Sequence, residues 1–485
     1  MNELTFASSN PQEAYRISKL LQEKKIRKIA PRIYTNNFEE KPSEIVKRNI
    51  LEILGNLYSG AVLSHRSAFE FKPTSTHQIF VTHSYTKKIT LPGVTINFLR
   101  GKGPIEGDNE FVPGLYVSSK ERAFLENCQI TKKSGSDSKT LSIPQIEEKL
   151  DDILLVHGEN GLNDIRDKAR KVSGKLGMKN EFEILNKIIG ALLTTKPARV
   201  LKSDLAISRA AGLPYDRKRI MTFEKLFNSL HNSQFKDRPE KYLSLNSFRN
   251  FAFFEAYFSN YIEGTVFEVE EAKRIVDTGV PLPSRDDDSH DILGTYQLAS
   301  NRTEMSKVPS TAEELIDLLQ ERHRILLSSR VGKNPGRFKE KNNRAGNTFF
   351  VDFKLVRGTL TKGFDYYKVL TDPFARAAYM MFLVSEVHPL DDGNGRIARV
   401  MMNAEFVNQA KTKIIIPTVF REDYLLTLKK LTNEEDPEPY INMLSKVHNF
   451  SKKLNFENYD DLYKYLEDHN AFFESDEGKH LIVDD

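Results

Sequence analysis

Apolar residues recur at helical spacing twice near the start of the chain. Ala14, Ile17, Leu20 and Leu21 share one face, and Val46, Ile50, Ile53, Leu54 and Leu57 share another. Between them Ile26, Ile29 and Ile33 stand among basic residues, the pattern of a short hairpin. Strand-like runs follow at Gln78–Thr82, Lys88–Leu91, Val94–Leu99 and Gly114–Val117, with Pro92 and Gly93 at a turn, so this first part predicts an α+β domain. From Pro144 onward the spacing turns helical: Gln145–Val156, Glu181–Thr194, Phe248–Tyr261, Thr265–Asp277, Thr311–Ser328, Pro373–Glu386 and Ile397–Gln409. Thr265 with Glu268 has capping-box spacing, and Asp372 before Pro373 predicts an N-cap followed by a helix-starting proline. One stretch breaks the helical run: Arg337–Phe353, whose Asn342-Asn343 and Ala345-Gly346-Asn347 centre reads as a β-hairpin. The fold class expected is therefore a mainly α C-terminal domain with a β-hairpin, preceded by an α+β N-terminal domain.

Composition marks the joints. Thr131–Ser142 holds no aromatic residue and too little apolar surface to fold alone, so it reads as a linker or long loop. Pro281–Asp288 reads as an exposed loop inside the C-terminal half. The expected segments are residues 1–130, an α+β domain; 131–240, a linker and helical connector; 241–455, the helical domain with its hairpin; and 456–485, a helical and acidic tail. No internal repeat is visible. A chain of 485 residues with 39% apolar and 28% charged residues can bury real cores and carries a well-charged surface. The single cysteine, Cys128, excludes an internal disulfide and any Cys-rich zinc cluster and suits a reducing compartment, so a cytoplasmic protein is expected. Met1–Asn10 has neither a basic cluster nor an apolar core, and the longest apolar run, Ala377–Val384, falls far short of a membrane span. Net charge is only +4, but it is polarised: Arg16–Thr35 holds seven Lys or Arg against Glu23, and Glu467–Asp485 holds seven acids against Lys479.

One polar stretch lies between two helical patterns: His388-Pro389-Leu390-Asp391-Asp392-Gly393-Asn394-Gly395-Arg396-Ile397-Ala398-Arg399. Gly393, Asn394 and Gly395 can take left-handed conformations that turn successive N–H groups inward, and such a nest beside a helix N-terminus is an anion site. Arg396 and Arg399 sit one turn apart on the following helix, where both guanidiniums can reach one anion. A carboxylate beside such a nest, Asp392, suggests a cation between it and phosphate, and Mg²⁺ binds in that way. His388 supplies a group that takes a proton near neutral pH. Residue by residue, an ordinary Asp-Gly and Asn-Gly turn with solvated arginines accounts for each of these features as well; their combination is what singles the stretch out.

The stretch resembles the signature of Fic-family enzymes, His-Pro-Phe-x-Asp/Glu-Gly-Asn-Gly-Arg-x-x-Arg. Eight positions agree, a chance match on the order of one in ten million for this length. The departure is Leu390 for Phe, at a position whose side chain packs inward in the family. The resemblance implies a helical bundle that uses ATP as donor and transfers AMP to a hydroxyl (Ser, Thr or Tyr) of a target protein. It implies His388 as the base for the attacking hydroxyl, with Arg396 also in the catalytic set, Asp392 as the Mg²⁺ ligand, Gly393, Asn394 and Gly395 as the phosphate cradle, and Arg396 and Arg399 as phosphate clamps. A relative that transfers phosphate carries Lys where this chain has Gly395, so Gly395 favours adenylylation.

Ser259-Asn260-Tyr261-Ile262-Glu263-Gly264 ends an aromatic helix whose Phe251, Phe254, Phe258 and Ile262 form the expected buried stripe, with Ser259 and Glu263 one turn apart on another face. Such a pair occurs on most exposed helices. In a Fic context it resembles the family's inhibitory helix, Ser/Thr-x-x-x-Glu-Gly/Asn, which implies that Ser259, Glu263 and Gly264 belong to it and that Glu263 pairs with Arg399 and withdraws it from the γ-phosphate. The hairpin Arg337–Phe353 occupies the place of the family's flap, which holds the target by strand addition; on pattern alone it reads equally as a hairpin covering a core. Ile414–Arg421, Tyr424 and Asp436–Leu444 also resemble the ends of Fic domains, and Tyr424 is expected near the adenine. The likeness runs from about Tyr242 to Leu454.

In the N-terminal third, Arg27–Tyr34, Glu44–Leu54, Gly60–Ala68 and Gly114–Asn127 resemble the AbiEi type of antitoxin and transcriptional regulator. That family places a winged helix-turn-helix ahead of these stretches, and Met1–Asn10 is too short for its two missing helices, which leaves a partial winged helix. The basic cluster can track the phosphates of DNA or serve as a solvated face. Three functions therefore stand at the level of sequence: an autoinhibited protein adenylyltransferase, an antitoxin-like DNA-binding regulator whose Fic domain senses nucleotide or modifies itself, and an enzyme that removes AMP from the same target. Candidate partners are ATP, a target protein, DNA through the basic N-terminal region and a second copy of the chain, with no membrane.

Overall fold

Val94–Arg100 alternates buried and half-buried side chains as a strand with one covered face should, and it anchors the larger sheet of the N-terminal half. A computed structural model of the protein describes residues 3–241, 244–474 and 477–483. The chain divides into two compact units, Met1–Ala210 and Ala211–Asp485. Tyr242, where the helical likeness is expected to begin, lies outside the described residues, as do Met1, Asn2 and the tail acids Asp476, Asp484 and Asp485.

In the first unit, β1 (Leu4–Phe6), β2 (Arg27–Ala30) and β3 (Ile33–Thr35) form a three-stranded antiparallel sheet in the order β1-β3-β2. The larger sheet holds β4 (Ala61–Leu63), β5 (Gln78–His83), β6 (Lys87–Leu91), β7 (Val94–Arg100), β8 (Asn109–Val112) and β9 (Leu115–Val117) in the order β6-β7-β5-β4-β9-β8. Pairs β5/β7 and β4/β9 are parallel and the rest antiparallel. The expected helix from Val46 to Leu57 is two helices, Pro42–Arg48 and Ile50–Leu57. Asn49 makes the break, because its side chain donates back to the Ile45 carbonyl at 3.0 Å and out to Glu3 at 2.8 Å. Both helices bury their apolar faces on the sheet through Ile45, Val46, Ile53 and Leu54.

The remainder of this unit is helical. Thr131–Ser142 is a loop with one short 3₁₀ turn, but a pinned one: Arg66 donates to the carbonyls of Gly135 and Ser138, and Leu141 is buried. Ser142 and Gln145 then form a capping box for a helix over Ile143–Leu176, kinked at Gly158, where φ is 64°. The expected Gln145–Val156 is its first half. It packs with Lys179–Leu192 and Lys120–Asn127 around Phe124, Leu150, Leu162 and Leu185.

The described residues of the second unit are mainly helical, with one short hairpin and an isolated bridge between Pro239 and Lys411. Leu245–Ile262, Ala312–Leu326, Pro373–Val387 and Asn394–Asn408 lie where helices are expected, and Asp372 caps Pro373–Val387 by accepting the Ala375 N–H at 2.9 Å. Two expectations fail. Thr265 caps nothing, because the next helix begins at Val269 with Glu268 as its N-cap. Asp286, Asp287 and Asp288 are not loop residues but the first turn of a helix, Asp286–Ala299, where their negative charge suits the positive end of the helix dipole. The hairpin has two residue pairs, Arg344 with Phe349 and Ala345 with Thr348, in β10 (Arg344–Ala345) and β11 (Thr348–Phe349). Among the described residues no helix is long and apolar enough to cross a membrane.

Candidate active site

Helix Pro373–Val387 is buried over most of its circumference and ends where His388 takes a left-handed conformation, φ 51°, with its N–H on the Val384 carbonyl. The loop that follows is closed by one side chain: Asn394 accepts the Leu390 N–H and donates to the Leu390 carbonyl, both at 2.9 Å. Leu390 itself is 0% exposed, so its aliphatic side chain fills the inward position. Gly393 is left-handed, φ 73°, and forms the N-cap of Asn394–Asn408. The expected three-residue nest is not what forms. Asn394 and Gly395 are already helical, and the Gly393 N–H is taken by Asp392 Oδ1 at 2.6 Å. What the loop offers an anion instead is the first N–H groups of the helix, which have no intrahelical acceptor.

The two arginines of this helix are both buried and both engaged. Arg399 donates through Nε to Ser259 Oγ at 2.9 Å and through one Nη to the Ser259 carbonyl at 2.9 Å and Glu263 Oε1 at 2.6 Å. Its other Nη has only a long contact, 3.5 Å, to the Tyr424 hydroxyl. Glu263 is the C-cap of Leu245–Ile262, a helix buried on nearly every side at its end, and is itself partly exposed. Gly264 follows with φ 94° and turns the chain away. A Cβ at Gly395 would lie 2.1 Å from Glu263 Oε1, so the bare backbone there is what lets the carboxylate reach Arg399. Burial alone would raise the Glu263 carboxyl; Arg399 outweighs it and holds the group below the usual carboxylate range.

Arg396 meets Asp291 at 2.7 Å, the side-chain Oδ1 of Asn260 at 3.3 Å and Asp392 at 3.3 Å. Asp291 and Asn260 were not legible as site residues: Asn260 sits inside the Ser259–Glu263 stretch, but nothing in the sequence marks the fourth acid of the helix Asp286–Ala299. Asp392 also faces Lys333 at 3.3 Å. Burial would raise its carboxyl, and Arg396, the Gly393 N–H and Lys333 together hold it below its usual value.

The His388 imidazole has Nδ1 3.2 Å from the Ser385 carbonyl, which assigns the proton to Nδ1 and leaves the Nε2 lone pair free. Burial pushes its pKa down to about 4, against the opposing pull of the Ser385 carbonyl, Glu263 and Asp392, so at neutral pH the ring is already in its base form. The His388, Arg399, Glu263 and Gly395 side of the site opens on a cleft that Tyr424 and Phe350 also line. The structure thus brings His388, Asp392, Gly393, Asn394, Gly395, Arg396, Arg399, Tyr424, Ser259 and Glu263 to one region, with Gly264 at its margin.

Among the described residues no three His, Cys, Asp or Glu side chains converge as a metal cage. Mg²⁺ needs only one or two carboxylates when phosphates complete its shell. Asp392, with its side chain a third exposed beside the helix N-terminus and only a surface lysine on Oδ2, fits that role.

Residues 314–405 match the model of the Fic/DOC family, a span that contains the whole His388–Arg399 stretch. The protein adenylyltransferase fic-1 of Caenorhabditis elegans is 24% identical over 253 residues, covering 50% of this chain and 49% of that protein. The protein adenylyltransferase Fic of Drosophila persimilis is 26% identical over 203 residues, 39% of each chain. The chain therefore spans half or less of the length of these relatives. A solved structure, Fic-1 (residues 134–508) from C. elegans, is 19% identical and covers 67% of this chain and 90% of its own, with a loose overall superposition at a TM-score of 0.36.

Proposed function

We propose that this chain is an autoinhibited protein adenylyltransferase that moves AMP from ATP to a hydroxyl of a target protein. The observation that carries the reading is the pairing of a neutral, Nε2-free His388 with two anion-seeking arginines and a helix N-terminus across one loop, at the wall of an open cleft. In this reading the triphosphate lies on the first N–H groups of Asn394–Asn408, with Arg396 and Arg399 as counter-charges. The target hydroxyl attacks the α-phosphorus while His388 Nε2 takes its proton, the bond from the α-phosphorus to the bridging oxygen breaks, and pyrophosphate leaves. Asp392 would hold Mg²⁺, which supplies charge neutralisation for the phosphates. Glu263 occupies the guanidinium that the γ-phosphate needs, so each gain by the carboxylate is a loss to the productive pose of ATP.

The test is label transfer from α-labelled ATP in a cell lysate, using Glu263→Gly protein as the active parent. Adding His388→Ala is expected to abolish transfer while ATP binding persists, because the base is lost and the phosphate cradle is not. Near-parental transfer would remove His388 from the mechanism. Asp392→Ala is expected to lose activity together with its Mg²⁺ dependence, and transfer indifferent to a chelator would exclude a metal role.

A further inference from the structure

Beyond its own ladder, the hairpin segment makes one contact that bears directly on the proposed base. The Phe350 ring lies on the His388 imidazole with centroids 3.7 Å apart and planes 5° from parallel. The root of the hairpin is tied to the same loop: the Lys339 N–H donates to the Pro389 carbonyl at 2.9 Å, and Asn343 Nδ2 reaches the carbonyls of Leu390 at 3.0 Å and His388 at 3.5 Å. Asn343 in turn accepts the Phe350 N–H at 3.4 Å, which closes a ring of contacts from hairpin root to loop to imidazole and back. Lys339 Nζ donates to Asn343 Oδ1 at 2.6 Å and stiffens that root.

A histidine ring rotates about a broad, roughly two-fold torsion, so its orientation has to be set from outside. The Ser385 carbonyl fixes one edge of the ring through Nδ1. A second restraint is needed to fix its plane, and Phe350 supplies one by covering a face. A ladder of two residue pairs is too short to hold itself, so the ties to the loop and to His388 also order the hairpin.

We propose that Phe350 is a positioning residue for His388: it shields one face of the imidazole and holds Nε2 toward the cleft, so that hairpin closure and base competence are a single event. The proposal rests on His388 being the base of the transfer reaction. A target segment that pairs with the hairpin then orders the same element that aims the base, and an unpaired hairpin leaves the base less well aimed.

The experiment uses the full chain and two readouts. The first is the rate at which diethyl pyrocarbonate modifies His388, followed by mass spectrometry of the peptide that contains it. Phe350→Ala is expected to raise that rate severalfold, and Phe350→Tyr to keep it near the parental rate. Phe349→Ala alters the adjacent position, the last residue of β11, at a side chain 66% exposed, and is expected to leave the rate unchanged. The second readout is transfer in the Glu263→Gly background, where Phe350→Ala is expected to lower kcat about tenfold with little change in KM for ATP, and Phe350→Tyr to restore it.

An unchanged modification rate in folded Phe350→Ala protein overturns the proposal. So does an equal rise with Phe349→Ala, which would reveal a loosened hairpin rather than a lost stack, and so does unchanged kcat once the face is uncovered. If no variant, Glu263→Gly included, transfers label, the adenylyltransferase reading falls, and with it the proposed role at the base, while the modification rates still report whether Phe350 shields the ring.

Discussion

Arg122 in the first unit and Arg399 in the second are both buried and both held by carboxylates, and they differ in what lies on the far side of the guanidinium. Arg122 donates to Glu126 at 2.8 Å, to Asp108 at 2.5 Å and to the carbonyls of Gly103 and Lys102 at 3.1 and 2.9 Å. Every partner side chain there is closed off, with Glu126 also accepting the His65 N–H and the Ser118 hydroxyl. Arg399 is as deeply buried, but its carboxylate is not: the Glu263 side chain is 35% exposed and lines a cleft. One Arg399 Nη, moreover, reaches the Tyr424 hydroxyl only at 3.5 Å. An ion pair with no room for a competitor is architecture. An ion pair that faces an open cleft, across a backbone bare enough to admit an anion, can be exchanged for a ligand. Strength of contact does not separate the two, since the closest pairings are similar; access does.

Removing the closed arginine should have the largest effect on the molecule. Arg122→Ala leaves Asp108 and Glu126 buried without their cation, a change of about 3–5 kcal/mol in comparable buried pairs. For a unit of this size that corresponds to a fall of roughly 10 °C in its thermal midpoint. Differential scanning calorimetry of the whole chain reads it. A midpoint shift of a degree or two would mean that the network is not the closed anchor its geometry indicates.

The open pair should respond in activity rather than in stability. Glu263→Gly frees Arg399, and a competitive coupling of ordinary size, about 1–3 kcal/mol, predicts a rise in label transfer of roughly 5- to 150-fold. Stability should change by no more than about 1 kcal/mol, because the carboxylate that is lost is partly exposed and screened by solvent. In the Glu263→Gly, Arg399→Ala double variant the gain should vanish, because the released guanidinium is its source. Unchanged transfer in a folded Glu263→Gly protein would make the two arginine sites alike and remove the argument from access.

The comparison also shows what a sequence can disclose. The open site is compressed into local spacing: His388 to Arg399 form one loop and one helical turn, and the loop's conformation follows from Gly393 and from Asn394 folding back on Leu390. Ser259 and Glu263 are legible for the same reason, at i and i+4. What was illegible is contributed by elements far along the chain, as with Asp291 on Arg396, Asn343 under the loop and Phe350 over His388. The closed site behaves similarly, since Asp108 and Arg122 meet only once β8, β9 and the helix Lys120–Asn127 are in place. Element boundaries failed where a side chain captured the backbone, at Asn49, or where helix-dipole chemistry overrode a loop-like composition, at Asp286–Asp288.

The smallest expected effect concerns pH, and its sign follows from the direction in which Glu263 is shifted. Its carboxyl lies below the usual carboxylate value of about 4.5 in the folded chain, so folding is favoured by the ionised form. The pair's contribution is therefore fully present above that usual value and is lost as pH falls through the lower folded value. His388 runs in a different window. Its folded value of about 4 lies below the ordinary 6.5, so the unfolded chain binds more protons between those limits and acidification there is destabilising. Comparing the parent with Glu263→Gln, both carrying His388, cancels the histidine's share. The difference in unfolding free energy between these two proteins should be flat from neutral pH down to about 4.5 and shrink only below it. Its full size should stay within ~1 kcal/mol, because the carboxylate is partly exposed and screened by solvent. A difference that began to fade near pH 6 would assign the pair's stability to His388 rather than to Arg399. A difference of several kcal/mol would make Glu263 as closed a partner as Asp108, and its exchange for a phosphate correspondingly hard.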